Sequence, residues 1–473
     1  MQIAELRERV AAVLPQIRRD LEDLVRIESV STDPARAAEV RRSAEAVAEL
    51  FRAEGFADTQ IVSARGDGSA PAVIARKLAP HGRPTVLLYA HHDVQPENDH
   101  DEWDSPPFEP TERDGRLYGR GAADDKAGIA AHLAAVRALG EDLGVGVTVF
   151  IEGEEEAGSE SLPDLLREHA DILRSDVIVI ADSANWDVGA PALTTSLRGL
   201  VRVDVTVRTL THGVHSGMWG GPVPDALMAL VRLLASLYDE RGNVAVGGLH
   251  GGPAADVEYP IDRLRAESGI APGVELIGDG SVVERLWTKP SLSIIGLDAP
   301  KVEGASATLV PSASAKLSLR IAPGDTAANA LDRLRAHLQA HVPWSAELTV
   351  TTLDAIDPTR IEATGPAFDA ARRAFAEAWD GTEPIDIGVG GSIPFIAQFL
   401  NSFPEASVLV TGVEDPDTRA HGANEGLHLA EFERVCLAET LLLVNLAGLR
   451  NPCTMPARVA RPGTAPRRVA EKP

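Results

Sequence analysis

The chain holds 473 residues, more than one hydrophobic core usually organises, so two compact domains are expected. Its formal net charge of −25 repels phosphate backbones and anionic headgroups, which argues against nucleic acid and membrane surfaces as partners. Two cysteines, Cys436 and Cys453, are too few for a disulfide framework or a cysteine-rich zinc motif, and point to a reducing compartment.

In chain order, apolar residues at helical spacing run to about Glu54, broken by a polar loop near Ser29–Asp33. The charged start of this stretch lacks the apolar core of a signal peptide, and no apolar run is long enough to span a bilayer, so a cytoplasmic location is expected. Short apolar runs follow at Thr85–Tyr89, Val145–Ile151, Val177–Ile180 and Val408–Val410, each reading as a buried strand. Helical patterns such as Lys126–Leu139 lie between several of them, which predicts a largely parallel α/β sheet.

From Leu197 the pattern changes. Leu200–Arg208 alternates with period two, a helix is expected at Asp225–Tyr238, and further alternating runs occupy Ser291–Ile295, Ala315–Ile321 and Ala346–Thr352. A second helix, Ala327–His341, lies between the last two. The order strand, helix, strand, strand, helix, strand predicts a small α+β unit of ferredoxin-like type. The expected organisation is an α/β domain built from 1–196 and 357–450, interrupted by an inserted domain at 197–356. The Gly-rich segment 242–290 reads as extended loops of the insertion, and the Pro/Ala/Arg-rich 451–473 as a disordered tail.

Acidic and histidine residues recur where the apolar runs end, which is where open α/β sheets form their ligand sites. In TVLLYAHHDVQPE, His91 and Asp93 share one strand face, while His92 points the other way. His91 reads as a metal ligand with Asp93 fixing its ring, or as a structural histidine. Asp124 and Asp125 open a helix, where an aspartate serves either as an N-cap or as a metal-bridging carboxylate. Glu154, Glu155 and Glu156 follow a buried strand directly. They form either a solvated charge run or a site in which one carboxylate binds metal and its neighbour acts as general base. Asp182 ends another strand, and His421 lies in a Gly-rich loop after VLVTG. Five strand-end candidates together are harder to dismiss than any one.

The stretches YAHHDVQPE, LYGRGAADDKAG, EGEEEAGS, IADSANW, HSGMWGG, SLRIAP, GGSIPF and AHGANEGL, in order from about residue 89 to 428, resemble the M20 metallopeptidases and especially their dipeptidase branch. The resemblance implies a mostly parallel-sheet zinc-peptidase catalytic domain with an inserted lid and dimerisation domain. It implies two divalent metal ions per subunit, zinc or alternatively Mn²⁺ or Co²⁺, held by His91, Asp124, Glu156, Asp182 and His421. By the same resemblance Asp124 bridges the ions, Asp93 orients His91 and Glu155 is the general base, leaving Glu154 a bystander. His215 resembles a histidine that reaches the partner's active site across a homodimer, Arg320 the arginine that holds the substrate carboxylate, and Ser392 a substrate-seating loop residue. Read alone, His215 could cap a turn, Arg320 could be a surface strand residue, and Gly390–Gly391 could simply make a loop. Two positions depart from the family pattern: the segment TLVPSASAKLSLR before Arg320, which puts a contact by Thr308 in question, and His92 in place of a small or apolar residue.

The implied activity is hydrolysis of dipeptides or other short peptides by a metal-activated water. An N-acyl-amino-acid deacylase or desuccinylase of the same family is the alternative. A catalytically inert metal-binding or dimeric scaffold predicts loss of Glu155 or Asp93, and both are present. A dinucleotide-binding fold is weaker still, since the fingerprint's third glycine is replaced at Asp124.

Overall fold

The computed structural model describes residues 2–64, 69–253, 255–391 and 393–449. Ser392 and the segment 451–473, including Cys453, lie outside the described residues.

The four expected strands join two that the sequence reading did not foresee, Asp58–Val62 and Ala72–Lys77, in a six-stranded sheet ordered Asp58–Val62, Ala72–Lys77, Gly146–Glu152, Thr85–His91, Val177–Ile180, Ser407–Val410. The last four run parallel, whereas the first two pair antiparallel at one edge. Gly146–Glu152 is buried along its whole length, as the near-continuous apolar sequence of a covered parallel strand requires. The helix Lys126–Leu139 has the predicted bounds and is almost entirely buried, which its Ala-rich sequence permits at close range. Ile3–Val25 and Leu429–Ala447 pack against it. The apolar core formed here draws residues from Leu6 to Leu197 and again from Ile361 to Leu446.

A second core lies wholly between Val201 and Leu338. It sits under a four-stranded antiparallel sheet ordered Ser291–Asp298, Ser312–Ile321, Gly199–Arg208, Glu347–Ile356. Val201, Val203, Val205 and Val207 point into this core, and the helices Ala226–Ala235 and Ala327–His341 cover it. The intervening Arg202, Asp204 and Thr206 face outward, as the period-two pattern demands.

The segment 242–290 departs from the all-loop expectation. It contains the helix Ile261–Ser268 and a π-helical turn, Glu284–Thr288. Val283 and Trp287 bury against Ala192 and Ile387, which belong to a three-stranded sheet made by Thr359–Arg360, Ala192–Leu197 and Ile385–Val389. Periodicity could not reveal this, because the partners of those side chains come from distant strands.

Candidate active site

The parallel strands end at one rim, and the loops leaving them carry the acidic and histidine residues. His91, the last residue of Thr85–His91, is fully buried. Its Nε2 lies 3.1 Å from Asp124 Oδ1 and 3.9 Å from Asp182 Oδ2, while Nδ1 lies 3.0 Å from the Asp93 carbonyl oxygen. His421 Nε2 reaches Asp124 Oδ2 at 3.0 Å and Glu156 Oε2 at 3.4 Å. The five candidate ligands therefore converge, with Asp124 between the two imidazoles.

Two groups of side chains bring donor atoms within 4.8 Å of one another: His91 with Asp124 and Glu156, and His91 with Asp125 and Asp182. Imidazole and carboxylate donors in this arrangement can hold divalent metal ions. Asp125, which the sequence offered beside Asp124 as an N-cap or a metal-bridging carboxylate, joins the second group. It stands at the N-cap of Lys126–Leu139 without capping it, and its Oδ2 instead accepts the His91 backbone N–H at 3.1 Å.

Electrostatics fit a cation site. Burial, with repulsion among the carboxylates, pushes Glu155 up to about 9, Glu156 to about 8 and Asp182 to about 6. Asp124 behaves oppositely: against its burial, hydrogen bonds with His421 and His91 hold its carboxyl below the usual range. A divalent ion relieves this crowding by favouring every ionised carboxylate at once.

Asp93 does more than face the His91 ring. Its carboxylate accepts the backbone N–H groups of Glu155 (3.2 Å) and Glu156 (3.1 Å) and the Ser31 hydroxyl (2.6 Å). The turn bearing both glutamates is thus tied to the ligand-bearing strand end. Gln95 adds a second tether, donating to Glu156 from its backbone N–H at 3.1 Å and from Nε2 at 2.7 Å. Glu154 turns away and accepts the Ser161 N–H. His92 also points away, its Nε2 against the Pro71 carbonyl, and burial lowers its pKa to about 4.

Glu425 escaped the sequence reading. Its carboxylate, fully buried, accepts the backbone N–H groups of Gly121, Ala123 and Asp124 and pairs with Arg120 at 2.6 Å. This glutamate, four residues after His421, fixes the loop that presents Asp124. The motif AHGANEGL held the signal, but nothing local distinguishes a clamp from a surface charge.

A cavity of about 290 Å³ opens over these groups, lined by Asp124, Glu155, Asp182, Val389, Glu414 and His421, among others. Gly412 lets two of its walls touch, since a Cβ there would collide with the Ser183 carbonyl oxygen. Arg320 and His215 belong to the segment that carries the second apolar core. Arg320 is half-buried on Ser312–Ile321, and burial and Arg202 lower its pKa. Close by, buried Arg198 donates to the Gly390 carbonyl and the Ser291 hydroxyl, joining the loop before Ser392 to the four-stranded sheet. His215 is exposed; its Nδ1 accepts the Gly217 N–H, and its strand residue pairs with Thr308.

The sequence matches the profile of Peptidase family M20/M25/M40 over residues 87–444. It is 36% identical over 372 residues to a cysteinylglycine-S-conjugate dipeptidase of Corynebacterium striatum, covering 76% of this chain and 81% of the relative. A beta-Ala-His dipeptidase of Rattus norvegicus is 32% identical over 379 residues, covering 76% of each chain. Human carnosine dipeptidase 1 superposes with a TM-score of 0.77 at 26% identity, over 95% of this chain and 99% of that one. With a profile match and relatives that extend over most of its length, the chain belongs to Peptidase family M20/M25/M40 and is a hydrolytic peptidase.

Proposed function

We propose that this peptidase hydrolyses dipeptides and other short peptides at a dinuclear metal site, with Glu155 as general base. The observation that carries the reading is the joint anchoring of Glu155 and Glu156 by Asp93, beneath a cleft that also holds Asp124, Asp182 and His421. His91, Asp124, Glu156, Asp182 and His421 would hold the ions, with zinc the metal best suited to imidazole and carboxylate ligands. When bound, the ions supply Lewis acidity toward the scissile carbonyl and lower the pKa of water.

Glu155 takes the proton of the attacking water and passes it to the leaving nitrogen. Burial raises its affinity for a proton in the metal-free site, and bound cations would return it to the ionised form that a general base needs. Asp93 keeps the Glu155 turn in register with His91 through the two amide hydrogen bonds. Arg320 holds the substrate carboxylate, and Ser392 helps seat the substrate from the loop after Gly391.

The chain divides into a catalytic body, 1–196 with 357–450, and an inserted lid at 197–356, in keeping with the two apolar cores. His215 serves the active site of a second copy in a homodimer. In support, it is exposed and flanked by Met218 and Trp219, which are 74% and 51% exposed. The enzyme works in the cytoplasm; no helix among the described residues is long and apolar enough to cross a membrane. A deacylase or desuccinylase is disfavoured by the dipeptidase relatives.

Metal analysis of the purified protein, with a panel of free dipeptides, N-acetyl and N-succinyl amino acids assayed before and after chelation, tests the reading. Chelator-sensitive dipeptide turnover is expected. Preferential turnover of the acylated substrates would overturn it.

A further inference from the structure

Glu414 is the one cavity-lining carboxylate whose role the hydrolytic machinery does not explain. It lines the cleft with Glu155, Asp124 and Asp182, close to Ala184, Val389 and Ile393. It belongs to neither group of side chains able to gather around a metal ion. No hydrogen bond or ion pair engages its carboxylate among the described residues, and burial together with the negative charge of Asp124, Asp182, Glu425 and Glu156 opposes its ionisation. An ionised carboxylate so placed is costly unless a cation or donor meets it.

Its position is nevertheless tightly defined. The Glu414 carbonyl accepts the Asn185 N–H at 2.8 Å, and a β-bridge joins Ala184 to Glu414. On its other side, Asp415 is held by Arg116 at 2.6 Å. Gly412 allows the close approach to Ser183 that brings the two loops together. The residue is therefore held at the cleft by backbone pairing with the 183–185 loop and by the ion pair of its neighbour Asp415, which suits recognition of a ligand group and not a mobile surface charge.

We propose that Glu414 receives the free α-ammonium group of a dipeptide, making the enzyme selective for substrates with an unblocked amino terminus. This assignment rests on the peptidase reading above. The ammonium supplies the positive charge and the hydrogen-bond donors that Glu414 lacks. Acylation of the amine removes that charge and leaves the carboxylate unpaired against Val389 and Ile393, so blocked substrates are rejected by desolvation as well as by bulk.

The test uses the metal-loaded full-length protein and two phosphinic isosteres of Gly-Ala, one bearing the amino group and one with hydrogen in its place. Binding is measured by calorimetry, and metal content by mass spectrometry. Wild type should prefer the amine-bearing compound by about tenfold or more, the worth of a charge-assisted hydrogen bond. Glu414→Gln should abolish that preference while affinity for the deaminated compound and metal content stay unchanged, and Glu414→Asp should restore part of it. A preference retained in Glu414→Gln would overturn the assignment, as would metal loss in that variant, which would make Glu414 a ligand. If neither compound binds wild type, the peptidase site itself is misread and the proposal falls with it.

Discussion

The Glu425 carboxylate accepts the backbone N–H of Asp124 at 3.0 Å across a sequence separation of 301 residues. The same carboxylate neutralises Arg120, and both side chains are buried. Removing Glu425 therefore strips the Asp124 loop of its clamp and leaves a buried guanidinium without its partner. Glu425→Ala should cost about 3–5 kcal/mol of stability, the usual penalty for breaking a buried pair. Glu425→Gln keeps some of the acceptors and should fold better while binding metal more weakly. Denaturant unfolding and metal titration check both; unchanged metal affinity in a folded Glu425→Gln would dissociate the clamp from the site.

Glu155→Gln should lower kcat by roughly 10²–10⁴-fold, the range for loss of a general base, while metal content is retained. Glu156→Gln should instead lose metal, because that carboxylate lies against His421 and within the donor group of His91 and Asp124. Elemental analysis beside kinetics separates the two roles. If the effects on metal and turnover were exchanged, the assignment of the adjacent glutamates would be reversed.

Much of this candidate site was legible because its candidate ligands follow apolar runs that had to be strands. His91, Glu156 and Asp182 each come directly after such a run, and buried parallel strands deliver their ends to one rim. What escaped depends on contacts that no local pattern encodes. Asp93 looked like a partner for one imidazole, yet its carboxylate also gathers the amides of Glu155 and Glu156, a consequence of how two strand ends are juxtaposed. The edge strand Asp58–Val62 was missed because it is only partly covered and lacks a strongly apolar run. Trp287 was left in a loop because its burial is supplied by Ala192 and Ile387, on strands remote in sequence.

The carboxylate crowding predicts a pH dependence of the chelated protein. Glu156 and Asp182 titrate near 8 and 6 in the fold, mainly through burial, whereas unfolded carboxyls titrate near about 4. Their contribution to stability is complete below the unfolded value and is lost as pH rises through about 6 to 8. Asp124, depressed by its histidine partners against its burial, contributes oppositely, losing its share as pH falls through its folded value. The chelated protein should therefore be most stable in mild acid and weaken toward pH of about 9, with the gain from added metal largest at the alkaline end. Unfolding measured with chelator and with metal at three pH values checks this. A metal-induced gain that shrank as pH rose would contradict the electrostatic account.

His215 offers the sharpest separation between a site complete in one chain and a site shared by two. Its imidazole is exposed and, among the described residues, accepts a hydrogen bond from its own turn, while its backbone forms the short ladder with Thr308. A role in turnover therefore requires a second copy to present it. His215→Ala and Glu155→Gln should each be nearly inactive alone. Refolded together, their heterodimers carry both lesions in one active site and neither in the other, so a one-to-one mixture should recover roughly a quarter of wild-type activity. A site complete within one subunit gives no such recovery, because each polypeptide then carries its own defect whatever its partner. Size-exclusion of the mixture must show the dimer for the comparison to count, and recovered turnover should fall on dilution into the range where the dimer dissociates.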